Sequence, residues 1–444
     1  MTDSVFGARR ARVLDAMAAR GGGVAVLFTA PERVRNRDSD YPYRFDSHFW
    51  YLTGFGEPGA ALALIASGGR REAILFCRAR DEAQELWDGF RYGPELAMRE
   101  FGFGAAHPID AIDTVMPMLL EEAPALYCAL GIGGELDVRV HRWLDAVRAK
   151  SRSGVRAPTA LVDLLAIVDE MRLLKDAAEI ETMRRAAQIS ADGHVRLMQE
   201  CRGGLREYEL EAELLHEFRR QGAEGPAYTS IVAGGPNACV LHHPAGTARL
   251  EDGQLCLVDA GCEVDGYASD LTRTFPVSGR FSAEQRSVYE LVLAAQSAAL
   301  GEVAPGRPFN APHDAATRVL TQGLVDLGLL TGSLNDLLES GAYRQFYMHR
   351  TGHWLGLDVH DVGDYREPGD APDGAARPWR RLQPGMVLTV EPGLYLRPAP
   401  NVPAAFHHIG VRIEDDVLVT EDGHEVLTQA APKRPDEIEA LMRI

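Results

Sequence analysis

The sequence predicts two domains, an N-terminal α/β domain over residues 1–172 and a C-terminal α+β domain over 173–444. Three observations carry that reading. At 444 residues the chain exceeds what one hydrophobic core usually fills. Its first part alternates short apolar strands with helices. Its second part interleaves long helices with glycine-punctuated antiparallel hairpins in place of a regular βαβ repeat.

Residues 1–20 form an amphipathic helix stopped by Gly21-Gly22-Gly23, and VAVLF follows as a short strand. RNRDSDYPYRFDSHFWYLTGF is a dense aromatic and charged stretch of the kind found at a core edge or an interface. ALALIA and EAILFC read as strands, DEAQELW as a helix, and the alternation continues through LVDLLAIVDEMRLL. The pattern changes near Arg172, where the domain boundary falls. Helices are predicted from Asp176 to about Cys201, over YELEAELLHEFRRQG, from Ser282 to Gly301 and over about Pro312–Leu327. Ser-Ala-Glu-Gln at 282 is a capping-box pattern. Residues 363–381 read as a polar, Pro/Gly-rich surface loop.

Composition excludes several classes. Hydrophobic and charged contents of 46% and 25% are those of an ordinary globular protein. A net charge of −18 with no basic stripe argues against a nucleic-acid partner. No apolar run approaches the ~18 residues needed to span a bilayer, and the N-terminus has no signal-peptide core, so a cytoplasmic protein is expected. The six cysteines form no CxxC pair and read as reduced, buried thiols. GIGGEL at 131 has glycines at the wrong spacing for a phosphate loop.

The chemistry concentrates in LCLVDAGCEVDGYASDLTRTF, residues 255–275. Asp265-Gly266 suits a tight two-residue hairpin turn. With the turn there, Val264 pairs with Tyr267, Gly261 with Asp270 and Asp259 with Thr272. Asp259 and Asp270 then share a face as diagonal neighbours roughly 7 Å apart. Two carboxylates so placed repel unless a proton or a cation lies between them. A second unit of the same form, VLTVEPGLY with VRIEDDVLV, places Glu391 opposite Glu414 and puts Arg412, Glu414 and Asp416 on one face, with Val411 and Ile413 in the core. MHRTGHWLGLDVHDVG lies between the hairpins and brings His349, His353 and His360. Each acid alone is more often a solvated strand-end charge; four in two like hairpins beside a histidine cluster point to a metal site. Four carboxylates and an imidazole make an oxygen-rich site with room for two divalent ions, which favours Mn²⁺, with Co²⁺, Fe²⁺ or Zn²⁺ as alternatives.

VDAGCEVDGYASDLTRTFPV, HRTGHWLGLDVHDVG, VLTVEPGLY and GVRIEDDVLVT resemble the dinuclear metallopeptidases of the pita-bread (creatinase/aminopeptidase) fold, in their Xaa-Pro aminopeptidase branch. DSDYPYRFDSHFWYLTGF resembles the amino-terminal domain of the same enzymes, so the likeness spans the chain. It implies two divalent metal ions per subunit held by Asp259, Asp270, His353, Glu391 and Glu414. It marks His242 and His360 as active-site histidines, and His349, Arg412 and Tyr395 as further pocket positions. Glu391 becomes the proton shuttle, beside a metal-bridged hydroxide attacking the X-Pro bond of peptides with proline second. Asp38 and Trp87 match positions through which neighbouring subunits of a homo-oligomer (tetramer or dimer) reach one another's sites. An Xaa-Pro dipeptidase is the alternative within the fold, and a non-catalytic peptide-binding module the alternative outside it.

Overall fold

The computed structural model describes residues 4–131, 134–369, 371 and 375–442. Ile132 and Gly133 of the GIGGEL stretch, and four residues of the predicted 363–381 loop, lie outside the described residues. The chain forms two compact units, 1–171 and 172–444.

The N-terminal unit begins with helix α1 (Val5–Ala19), capped by the Ser4 hydroxyl accepting from the Gly7 N–H. Strands β1 (Gly23–Phe28), β2 (Ala61–Ser67), β3 (Arg70–Cys77), β4 (Ala105–Pro108), β5 (Ala125–Cys128) and β6 (Ala160–Asp163) form one mixed sheet in the order β4-β3-β2-β1-β5-β6. Hairpin-linked β2 and β3 pair antiparallel, whereas β1–β5 and β5–β6 pair parallel across helical connections. Val24, Val26, Ile65, Phe76, Leu126 and Trp143 are part of its core. The α/β expectation holds here.

In the C-terminal unit the helices form where their caps foretell. Helix α2 (Ala177–Glu200) starts on a reciprocal box between Asp176 and Glu179, and α4 (Ala283–Leu300) on one between Ser282 and Gln285. Helix α3 (Glu207–Arg220) packs on α2, and α5 (Ala311–Asp326) on α4. These helices cover two hairpin systems. Strand β7 (Ile231–Gly234) pairs with β8 (Leu255–Asp259), which pairs with β11 (Thr272–Pro276), Asp259 lying opposite Thr272. Between them β9 (Cys262–Val264) and β10 (Tyr267–Ala268) close the turn with Val264 opposite Tyr267. Asp265 and Gly266 both have positive φ (49° and 81°), as a two-residue primed turn requires. Gly261 marks where the hairpin arms approach most closely: a Cβ there would sit 1.8 Å from the Ser269 carbonyl oxygen.

The second system repeats the plan. Strand β12 (Val387–Val390) pairs with β15 (Asp415–Val419), and β13 (Gly393–Leu396) with β14 (Ile409–Arg412), in one continuous register. Both systems interrupt their ladders at the acids. The N–H groups of Glu391 and Glu414 leave their own hairpin for the carbonyls of Thr351 and Thr272, 2.8 and 3.1 Å away. Those bonds fasten the second hairpin to the first and to the histidine segment. No helix among the described residues is long and apolar enough to cross a membrane.

A fully buried histidine on α2 links this fold to pH. The His194 Nε2–H donates to the Ala260 carbonyl at 2.9 Å, while burial, with the charge of Arg273, pulls the imidazole down to about 4. In the unfolded chain it titrates near 6.5, so unfolding takes up a proton below that pH. Stability is thus retained above 6.5 and falls by up to about 1.4 kcal/mol per pH unit between 6.5 and 4. Equilibrium unfolding of His194→Gln over that range is expected to show a slope shallower by close to one proton. An unchanged slope would place the acid sensitivity elsewhere.

Candidate active site

The two hairpin systems and the histidine segment enclose a cavity of about 1030 Å3. Asp259, Asp270, His353, Glu391 and Glu414 all line it, with His242, His349, His360 and Arg412. Residues as far apart in sequence as Asp259 and Glu414 thus converge on one cavity because their strands end there: Asp259 closes β8, Arg412 closes β14, and Glu391 and Glu414 stand in the two breaks.

Asp270, His353 and Glu414 offer ligand atoms that all lie within 4.8 Å of one another. His353 is oriented for ligation. Its Nδ1–H donates to the Trp354 carbonyl at 2.9 Å, which leaves Nε2 facing Asp270 Oδ2 at 3.4 Å and Glu391 Oε1 at 3.9 Å. Burial opposes a charge on His353, yet the hydrogen bond and charge of Asp270 outweigh it and raise the imidazole to about 9. Burial raises Glu414 far above the carboxylate range, and the charges of Asp270, Glu391 and Asp259 add to that. Burial likewise pushes Glu391 up to about 7. Acids that resist ionisation together, around an imidazole that holds a proton, are a set short of positive charge. Divalent cations fit it in both charge and donor type.

Two residues the sequence reading did not single out compensate part of that deficit. The Tyr228 hydroxyl lies 2.6 Å from Asp259 and 2.5 Å from Asp270, bridging the pair. The Thr272 hydroxyl donates to Glu414 at 2.5 Å and accepts from Arg412 Nε at 3.2 Å. Arg412 itself reaches Asp259 with Nη2 at 2.5 Å and the Tyr395 hydroxyl with Nη1 at 2.8 Å. No pattern near Tyr228 marks it, because its partners lie 31 and 42 residues downstream. Thr272 was legible as the residue opposite Asp259 but not as a hydroxyl donor.

The remaining candidates divide. His349 holds the Tyr395 hydroxyl at 2.8 Å through Nε2, and burial with the charge of Arg412 lowers it to about 3. Tyr395 stands behind His349 and Arg412, 1% exposed, and does not line the cavity. His360 lies edge-on to His353, with ring centres 4.2 Å apart. Asp416, expected on the face of Arg412 and Glu414, does not line the cavity. It accepts instead from the Ser269 hydroxyl and the Asp270 N–H at 2.8 and 3.0 Å. The chain leaves β14 after Arg412 and enters β15 at Asp415, and the break ends the two-residue repeat. Asp38, in an exposed turn, and Trp87, 83% exposed on the helix Glu82–Asp88, belong to the N-terminal unit and line no part of this cavity.

The 363–381 stretch is not wholly a surface loop. Tyr365 and Trp379 line the cavity beside Phe309, and Tyr365 stacks on buried Trp354 with ring centres 5.5 Å apart. Aromatic residues in an otherwise polar stretch were the available signal.

This arrangement agrees with known proteins. Residues 181–421 match the profile of metallopeptidase family M24, and residues 6–127 that of the aminopeptidase P N-terminal domain. The chain is 46% identical to the Xaa-Pro aminopeptidase of Haemophilus influenzae, covering 98% of this chain and 96% of that one. The structure of Pseudomonas aeruginosa aminopeptidase PepP superposes with a TM-score of 0.93 at 50% identity, covering 98% of each chain. Aminopeptidase P from Escherichia coli with the inhibitor Pro-Leu superposes at 0.94 and 43% identity, covering 100% of this chain and 98% of that one. Similar along nearly its whole length to such enzymes, the chain belongs to the Xaa-Pro aminopeptidases of metallopeptidase family M24.

Proposed function

We propose that the cavity removes the N-terminal residue from peptides with proline in second position, using two divalent ions, Mn²⁺ the favoured ion. The carrying observation is the convergence of Asp270, His353 and Glu414 within 4.8 Å, with Asp259 and Glu391 on the same wall. In this reading Asp270 and Glu414 would be shared between the ions, Asp259 would help to hold one, and His353 and Glu391 would help to hold the other. Bound there, the ions supply an acidified water and a Lewis acid for the carbonyl oxygen.

The chain's own groups do the rest. Hydrolysis adds the water's hydroxyl to the carbonyl carbon and its proton to the leaving proline nitrogen. Glu391 carries that proton, its two oxygens lying towards His353 at 3.9 Å and His349 at 3.6 Å. One histidine, His360 or His242, donates to the carbonyl oxygen as charge develops on it. Arg412 fixes Asp259, and Tyr395 fixes both Arg412 and His349. An X-Pro bond has no N–H to recognise, so selection rests on the pyrrolidine shape, for which Phe309, Tyr365 and Trp379 form an aromatic wall.

Asp38 and Trp87 are assigned to the site of a neighbouring subunit in a homo-oligomer, tetramer or dimer, an assignment supported by their exposure on the N-terminal unit. Six buried free cysteines suit a cytoplasmic setting. The test is hydrolysis of X-Pro-Y and X-Pro peptides with and without added Mn²⁺, together with the metal content of the purified protein. Cleavage of X-Pro-Y at the first bond, dependent on about two ions per chain, is expected. Cleavage of dipeptides alone would make the chain an Xaa-Pro dipeptidase.

A further inference from the structure

Glu207, the first residue of α3, is fully buried and lies outside the cavity. A carboxylate without solvent must satisfy about four lone-pair sites from the protein. Glu207 does so. Oε1 accepts from the Gly234 N–H at 3.0 Å and the Asn237 side-chain amide at 2.8 Å. Oε2 accepts from His243 Nε2 at 2.9 Å and the Gly246 N–H at 3.0 Å. Its own N–H is spent on the Ala248 carbonyl, so both carboxylate oxygens and the backbone N–H are committed.

All four donors to the carboxylate, two backbone N–H groups and two side chains, belong to one segment, residues 234–246. That segment leaves β7 at Gly234, turns through Gly235–Cys239, and presents Leu241, His242 and Pro244 to the cavity. Besides Glu207, the bonds on it include the ladder pairing of Gly234 with Cys256, the Val240 N–H to Asn237, the Tyr208 N–H to the Gly246 carbonyl at 3.1 Å, a bridge between Pro244 and Ile231, and Arg397 on the Cys239 carbonyl at 3.0 Å. His242 therefore stands within the Glu207 clasp, which holds Gly234 and Asn237 before it and His243 and Gly246 after it, with Arg397 on Cys239 as a further anchor. Adjacent His243 is turned away from the cavity to serve that clasp. Gly246 approaches so closely that a Cβ there would lie 3.1 Å from Glu207 Oε2.

We propose that Glu207 is a positioning residue for catalysis: its carboxylate gathers the 234–246 segment and sets where His242 meets the substrate. This rests on the role given to His242 above. A buried ion at a helix N-terminus also stabilises the fold, so loss of activity alone decides nothing. The decisive measurement is a double-mutant cycle in kcat and KM on an X-Pro-Y peptide, using the Mn²⁺-loaded full chain. Glu207→Gln keeps the volume but sets an NH2 against donors. It is expected to lower kcat about tenfold, the scale of a sub-ångström misplacement, with KM within about twofold. In the His242→Ala background the same change is expected to cost less than about twofold, because there is no imidazole left to misplace. Asn237→Ala, which removes one donor and spares the carboxylate, should show a smaller loss with the same dependence on His242. It decides the matter if Glu207→Gln does not fold.

Equal losses in both backgrounds would show a structural role and overturn the proposal, as would parental kcat in Glu207→Gln. Parental kcat in His242→Ala would overturn the role of His242 itself and this inference with it. An impaired His242→Ala beside an unimpaired Glu207→Gln would overturn this inference alone.

Discussion

Asp270→Asn is expected to lower kcat by about a thousandfold or more and to remove the stabilisation that added metal gives the parent protein. The substitution preserves volume and leaves an oxygen to accept from Tyr228, but it withdraws the charge from the most crowded point of the site. Asp270 faces Glu414 and His353 within the 4.8 Å cluster and shares Tyr228 with Asp259. An amide there is a poor ligand for a divalent cation, so metal binding at the proposed site should weaken. In the parent, saturation at a thousand times Kd adds about 4 kcal/mol. For a unit of this size that amounts to roughly 8 °C in melting temperature. The metal-free proteins should differ much less. The substitution removes repulsion between buried acids, which stabilises, and takes away the partner of His353, which destabilises. Melting curves with and without Mn²⁺, read beside turnover, separate these effects. A variant that still melts higher with Mn²⁺ and still turns over would refute Asp270 as a ligand.

The sequence held the logic of this site because its hairpins are local. A two-residue turn needs two positive φ angles, Asp-Gly supplies them, and the register of every residue from 255 to 276 follows from that one turn. The second hairpin was legible by its likeness to the first. Asp416 escapes the strand alternation because it lies beyond the break at Ile413-Glu414, where that alternation ends. Partners that meet only in three dimensions leave no mark in the local pattern. Tyr228, Thr351 and Glu207 act through atoms delivered by other elements, and no period or cap in their own neighbourhood reports that. Tyr395 shows a milder case. The residue was found, but the distinction between lining a cavity and standing behind its wall depends on side-chain direction.

Arg273→Met is expected to be among the most destabilising single changes in the C-terminal unit, although Arg273 touches no substrate. In the sequence it sits unremarked in TRTF, an alternating strand where arginine suggests a solvent face. The structure buries it completely. Its guanidinium donates to the carbonyls of Thr272 and Glu414 through Nη1, at 3.0 and 2.6 Å. It donates to Pro432 through Nε at 3.2 Å, and to Ala431 and Asp415 Oδ1 through Nη2 at 2.9 and 2.8 Å. One side chain thereby joins β11, the break that carries Glu414, and the C-terminal segment. Asp415 is equally buried, and although burial would raise it, Arg273 and Lys433 hold it down to about 2. Methionine would fill much of the volume but leave Asp415 with Lys433 as its one cation and several carbonyls unserved. Breaking a buried pair in this way costs about 3–5 kcal/mol, or roughly 6–10 °C of melting temperature at this size. The same argument predicts a partial cure. In Arg273→Met/Asp415→Asn no buried anion is left short of a partner, so the double variant should melt above the single one. If it melts lower, the cost of Arg273→Met lies in the carbonyl bonds and not in the ion pair. Metal affinity should fall in the single variant as well, because the bonds to Thr272 and Glu414 hold the two hairpins in register at the acids. Stability and metal binding are thus coupled through a residue that neither activity nor sequence pattern would single out.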